Sequence, residues 1–368
     1  MSAALLARLD KELRDIWRVS AEAGAPLTRV CTMNIEVVAP SRELLDRYTS
    51  VVDEVTATIP ARAILASIEP DAPSGLDGDV TAVCFADGGK KICSERIVLR
   101  IGGQNAAAAA SAMESFLVPE IPTALVWLGR VHVDDPVFQD LANDAHRIVL
   151  DSTYTSIASL IHVAKWARTQ PNAPRIADLA WTRISMWQEM LARFFDEADT
   201  RPLAEQITKL SLKQASDAGE RLGPEGALVL GWIATRLGWK TSRLGGALRF
   251  KRPDGGAVVV ELGSVTRPQG VAPQTLGALT IEAGNMRGAI ERELGTGLAG
   301  GENTKDADVV VWRRTLGDGP AIEHHVRLGA NKAAKWLERT LHRPASDPAF
   351  AESVAFAEQI VEDGLTVS

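Results

Sequence analysis

The sequence predicts an α/β and α+β protein: an N-terminal mixed α/β sheet domain, a helical connector, and a C-terminal α+β domain with a mostly antiparallel sheet. Three observations carry this. Strand-like apolar runs alternate with helix-period runs through the first 150 or so residues. Short β-branched runs punctuated by Gly and Pro turns recur after residue 205. Between them, residues 153–200 show helical spacing, broken only at Gln170-Pro171-Asn172-Ala173-Pro174.

The elements follow in order. Leu5, Leu9, Leu13 and Ile16 form one stripe of an amphipathic N-terminal helix. Acids and bases run through that segment, unlike the uninterrupted apolar core of a signal peptide. LTRVCTMNIEVVA (27–39) reads as one buried strand, and the helix after it has Ser41 as N-cap. ARAILASI is a second strand, and 71–78 is a Pro/Gly/Asp loop. VTAVCFA and KKICSERIVLRI flank Asp87-Gly88-Gly89-Lys90, a hairpin signal that makes the sheet mixed. Gly102-Gly103 leads into an Ala-rich helix. A strand in VPEIPTALVWLG, a short helix from Pro136 and the strand RIVLDS come next.

Beyond the Pro-rich break, DLAWTRISMWQEMLARFFD is helical and ITKLSLK is a strand. PEGALVLGWIATRLG is a helix, with Pro224 near N1 and Gly238 past its end. GALRFKR, AVVVELG, TLGALTIEA and ADVVVWRR are strands, with a turn at Pro253-Asp254-Gly255-Gly256, and two helices close the chain. The expected divisions are 1–26, 27–170, 171–343 and 344–368.

The 368 residues carry 46% hydrophobic and 24% charged side chains, ordinary for a globular chain. A net charge of −7 argues against a general nucleic-acid binder. No run approaches the roughly 20 apolar residues that span a bilayer. Three cysteines give no zinc spacing. The expectation is a cytoplasmic protein that binds no nucleic acid, membrane, metal or cofactor.

Candidate chemistry is sparse. Gly102 and Gly103, between a strand and a helix, could present amides to an anion, yet no dinucleotide or P-loop motif accompanies them, and a tight turn explains them equally. His324 and His325 point to opposite faces of a strand and cannot readily share a metal. No nucleophile elbow occurs, and Cys31 reads as inert packing. If Gly88-Gly89 is a two-residue loop, Cys84 faces Cys93 in a non-hydrogen-bonded pair, where side chains are closest. That pair is either a redox pair or two reduced thiols.

Five of nine tryptophans (Trp166, Trp181, Trp187, Trp232, Trp239) fall between 166 and 239. Ala180, Ile184, Trp187, Leu191 and Phe194 share one helical face. A core helix and an interface helix both want this pattern. On the interface reading, the candidate partner contacts are Asp178, Trp181, Arg183 and Trp187, with Trp127 from the proline stretch.

DLAWTRISMWQEMLARFFD followed by LGWIATRLGW resembles the glucose-6-phosphate dehydrogenase assembly protein family, OpcA. Arg29 and Asn34 in RVCTMNIEVV, the Pro60-Ala61-Arg62-Ala63 segment, VPEIPTALVWLG and RIVLDS extend the likeness over about residues 27–245. Ile59 stands where the family often has His, Trp127 where it often has two Trp, and Gln188 where it commonly has Arg. The resemblance implies a non-catalytic effector that binds glucose-6-phosphate dehydrogenase and promotes its assembly or activity. The rival reading is an enzyme, or a protein that binds a sugar phosphate or nucleotide, using the α/β domain. A self-associating protein whose Trp blocks form a homo-oligomer is the third.

Overall fold

The computed structural model describes residues 3–22, 27–87, 90–216, 222–244, 247–267, 271–292, 309–327, 333–343 and 347–362. The chain forms two compact units, and each takes more than one stretch of sequence. The first unit is Met1–Asp151, Val163–Asp178 and Ala333–Ala345; the second is Ser152–His162, Leu179–Lys332 and Ser346–Ser368.

The first unit opens with α1 (Ala3–Glu22), β1 (Leu27–Arg29), β2 (Met33–Ala39), α2 (Arg42–Thr56) and β3 (Ala61–Glu69). The hairpin of β4 (Gly75–Asp87) and β5 (Lys90–Gly102) follows, then a 3-10 turn (Gly103–Ala108) running into α3 (Ala109–Glu114). β6 (Thr123–Trp127), α4 (Pro136–Asp144) and β7 (Arg147–Leu150) come next. After α5 (Ser152–Thr155) and α6 (Ile157–Thr169), β8 (Arg175–Asp178) completes the sheet.

Six of these strands, β5-β3-β2-β6-β7-β8, lie side by side in parallel. In chain order that is third, second, first, fourth, fifth, sixth, the arrangement of a doubly wound sheet. β4 runs antiparallel along the whole of β5, and β1 pairs in parallel with Lys91–Cys93. β2 and β3 are almost wholly buried, as central parallel strands covered on both faces must be.

Two expectations change here. The stretch 27–39 is two strands, because Thr32 turns aside to donate its N–H and hydroxyl to Pro60 O. The Ala-rich segment begins as a 3-10 turn and becomes α-helical only at Ala109. Gly88 and Gly89 lie outside the described residues.

Besides α5 and the first part of α6, the second unit takes α7 (Leu179–Arg183) and α8 (Ser185–Arg193), then β9 (Ile207–Ala215) and α9 (Pro224–Arg236). Strands β10 (Lys240–Leu244), β11 (Ala247–Lys251), β12 (Ala257–Val265), β13 (Leu276–Ala283), β14 (Met286–Arg292), β15 (Val309–Leu316) and β16 (Ile322–Arg327) follow. α10 (Ala333–His342) returns to the first unit, and α11 (Pro348–Glu362) belongs to the second.

The second sheet has the order β10-β11-β12-β9-β13-β14-β15-β16. Every pair is antiparallel except β12–β9. Its core is aromatic. Phe194 stacks on Trp312 at 4.7 Å, and Phe250 meets Phe356 at 5.3 Å. Such pairs add about 1 kcal/mol each beyond their buried area. α9 and α11 approach so closely that a Cβ at Gly231 would lie 2.5 Å from Ser353 O. Pro224 sits at the first turn of α9 and Gly238 follows its end at φ 65°, as the sequence predicts.

Candidate functional site

The doubly wound sheet reverses direction between β2 and β6. In such sheets ligands bind in the crevice beyond the carboxyl ends of the strands at that switch point. A pocket of about 410 Å³ lies there. Its walls come from the ends of β2 (Val38, Pro40), β3 (Ile68), β6 (Leu128) and the 3-10 turn (Ala107), with Arg130 also lining it. A dinucleotide site needs a glycine-rich turn and free amides at the next helix. Here Pro40-Ser41 makes the turn, and two of the first-turn amides are occupied. Ser41 Oγ accepts the N–H of Leu44, and Glu69 Oε1 accepts that of Arg42 at 3.2 Å. At α4, Asp135 Oδ1 accepts the N–H of Val137 at 2.9 Å.

Gly102 and Gly103 serve close packing. Gly103 has φ 59°, and a Cβ there would lie 2.5 Å from Ser74 Oγ. That hydroxyl already accepts the N–H of Gln104. The turn is filled by the chain's own 73–74 segment.

The tryptophan block is two helices, not one, with the break at Ile184. Its apolar face is inside the second unit: Ala180, Ile184, Trp187, Leu191 and Phe194 are all buried. Trp181 is 4% exposed, donates Nε1–H to Asp347 Oδ2 at 2.8 Å and lies against Phe350. Arg183 forms a buried ion pair with Glu225 at 2.9 Å and also donates to Thr153 Oγ1. The second oxygen of Glu225 accepts the N–H of Leu276. In the first unit, Asp178 ends β8 and is 1% exposed. Trp127 is 8% exposed, donates to Arg130 O and packs edge-on against Phe138. These five side chains are buried within their own units.

Cys84 stands opposite Cys93 in the β4–β5 register, and the two sulfurs are bonded. Cys84 is exposed and Cys93 fully buried. Cys31 is free, and burial raises its thiol pKa. His324 packs on Trp312, whereas His325 meets Glu323 at 2.9 Å on the opposite face of β16.

Sequence reasoning missed the polar groups inside the first sheet. Arg62 Nε donates to Glu95 at 2.6 Å, its Nη1 donates to Phe116 O, and Glu95 also accepts the indole N–H of Trp17. Asn34 donates to Val118 O and Thr123 Oγ1 and accepts the N–H of Val118. Glu36, in the middle of β2, is fully buried with neither carboxylate oxygen bonded. Burial, with Glu114 and Asp144 nearby, pushes its pKa up to about 8. The available signal was a charge inside the apolar run NIEVVA.

Asn34, Arg62 and Trp127, and Trp181 and Trp187, which carry the family likeness, thus lie inside the first and the second unit respectively. The chain matches two consecutive family models, described as the glucose-6-phosphate dehydrogenase subunit N-terminal domain (residues 52–172) and C-terminal domain (residues 174–354). The chain belongs to the OpcA family. It is similar to a Synechococcus elongatus protein provisionally named OxPP cycle protein OpcA, 30% identical over 245 residues, which is 62% of this chain and 53% of that one. A Synechocystis protein of the same provisional name is 24% identical over 331 residues, 85% of this chain and 66% of that one. The chain therefore spans between about half and two thirds of these OpcA relatives. Among solved structures, an oxidoreductase from Sinorhizobium meliloti aligns at 12% identity over 90% of this chain and 96% of that one, with TM-score 0.47. A likeness of that grade bears on no functional point.

Proposed function

We propose that this OpcA-family chain is a non-catalytic effector of glucose-6-phosphate dehydrogenase in the oxidative pentose phosphate pathway, acting in the cytoplasm. The observation that carries the reading is the pair of family models, both described as parts of a dehydrogenase subunit, across residues 52–354. The geometry supports the absence of chemistry of its own. The crevice where a doubly wound sheet would hold a dinucleotide has no glycine-rich turn, and its Arg42 and Leu44 amides are taken by Glu69 and Ser41. An effector raises activity only by binding the active state of its partner more tightly than the inactive one. Asp178 and Trp127 in the first unit, and Trp181, Arg183 and Trp187 in the second, act by fixing the surfaces above them. The test combines purified dehydrogenase with this protein, following NADPH formation and size-exclusion elution. Co-elution with a lower KM or higher kcat is expected. Separate elution with unchanged constants overturns the proposal. Light scattering of the protein alone reads any homo-oligomer.

A further inference from the structure

We infer that the crevice between the carboxyl ends of β2 and β6 binds a ring-sized molecule with an apolar body and one acidic group, and that it excludes dinucleotides. The inference goes beyond the effector reading and does not rest on it. Either can fail alone, because this one concerns a small molecule and the first unit only.

Position, shape and charge carry it. The crevice is the switch point of a doubly wound sheet, where that architecture leaves room between two strands whose connections diverge. Its volume of about 410 Å³ is within the range of small-molecule sites. It is too small and too apolar for a dinucleotide with two ribose rings and a pyrophosphate. Val38, Ile68, Ala107 and Leu128 give it aliphatic walls, and Pro40 stands where a glycine-rich turn would have to be.

Three of the helix-terminal amides at the crevice are already satisfied from within. The first amide of α2 donates to the Glu69 carboxylate, and Leu44 N–H donates to Ser41. A pyrophosphate laid on α2 would meet the negative charge of Glu69 where the Arg42 amide would otherwise point. At α4, Asp135, which also lines the crevice, accepts the amide of Val137 on one oxygen, so an acidic group is seated on the Arg130 side and away from that carboxylate. The exposed Arg130 makes no ion pair among the described residues. Its guanidinium is the cation left to meet an acidic group on a molecule whose body lies against the aliphatic walls. Glu114 and Asp144 end α3 and α4. The pocket is lined from the opposite ends of those segments, by Ala106 and Pro136, so these two acids stand away from it.

The probe is 1-anilinonaphthalene-8-sulfonate, an aromatic body with one anionic group. Its uncharged counterpart N-phenyl-1-naphthylamine separates charge from shape. Titrated by fluorescence against the full chain, the sulfonate is expected to fill a single saturable site. Ala107→Trp, at an exposed wall position, is expected to abolish that binding. Arg130→Gln is expected to weaken the sulfonate about tenfold and leave the uncharged probe unchanged. NADH is expected not to displace either probe. If Ala107→Trp does not keep the wild-type melting curve, Val137→Trp fills the pocket from α4 instead. Absence of a saturable site, binding indifferent to the pocket-filling variants, equal probe affinities with and without Arg130, or displacement by NADH each overturns the inference.

Discussion

Glu36 sits among the apolar side chains of β2 with no partner for either oxygen. Its carboxyl is held at about 8 against an ordinary 4.5, chiefly by burial. Below pH 4.5 the group is protonated in folded and unfolded chains alike and contributes no difference. Between 4.5 and 8 the unfolded chain loses its proton first, so stability falls as pH rises, and above 8 the full penalty is present. Glu36→Gln is expected to flatten this slope and to raise unfolding free energy by about 4 kcal/mol at pH 8.5 relative to its effect at pH 4.5. Urea denaturation at the two pH values measures it, and parallel pH profiles for both proteins would contradict it. Arg183 presents the opposite case, a buried charge fully paired. Arg183→Met leaves Glu225 buried and holding only the Leu276 amide, and is expected to cost about 3–5 kcal/mol. Chemical denaturation distinguishes this from a surface contact, whose loss would leave the isolated protein's stability unchanged and lower only partner binding.

Among the elements, the β4–β5 hairpin was legible because an Asp-Gly-Gly-Lys turn fixes register by counting, and the count puts Cys84 against Cys93. The oxidised protein is expected to show one titratable thiol after denaturation and three after reduction, with a Cys84–Cys93 peptide in the non-reducing digest. Three thiols without reductant would mean that the bond does not form in solution. Reduction is expected to cost at most about 2.5 kcal/mol, since the closed loop is short. The β4–β5 pairing, from Gly75 opposite Gly102 to Asp87 opposite Lys90, is expected to survive it. The tryptophan block was less legible. Its 3.6-residue spacing survives the break at Ile184, because α7 and α8 bury neighbouring parts of one apolar face. Spacing alone therefore could not reveal two helices. β8, β10 and β14 were not legible, and of β16 only His324 and His325 read as strand residues. Arg175–Asp178 and Lys240–Leu244 are short and polar at their starts, and are strands because a partner lies beside them.

Across the whole molecule, the two units exchange chain. α10 follows the last strand of the second sheet yet packs in the first unit, with Ala334, Leu337, Thr340 and Leu341 buried. Arg147, on β7, donates to Leu341 O at 2.9 Å and Arg343 O at 2.8 Å, tying that helix to the first sheet. A fragment ending at Asp178 lacks this helix and is expected to be unfolded or aggregated. The same fragment with residues 333–345 fused through a flexible linker is expected to recover cooperative melting. Equal melting of both fragments by circular dichroism would show that α10 is dispensable.

By itself the sequence determined the two sheet classes, the caps of α2 and α9, the hairpin register and the family, because each rests on near-neighbour spacing or on local turn chemistry. It also held the residues of the switch-point crevice, but scattered from Val38 to Val137 with no motif among them. Tertiary structure alone decided the rest. Which strands neighbour one another made β2 and β6 the switch point and brought Glu69 to the amide of α2. Which faces are covered placed Trp181 and Trp187 inside the second unit and Arg183 against Glu225, which spacing could not show, since a helix facing a core and one facing a partner require the same side chains at the same spacing.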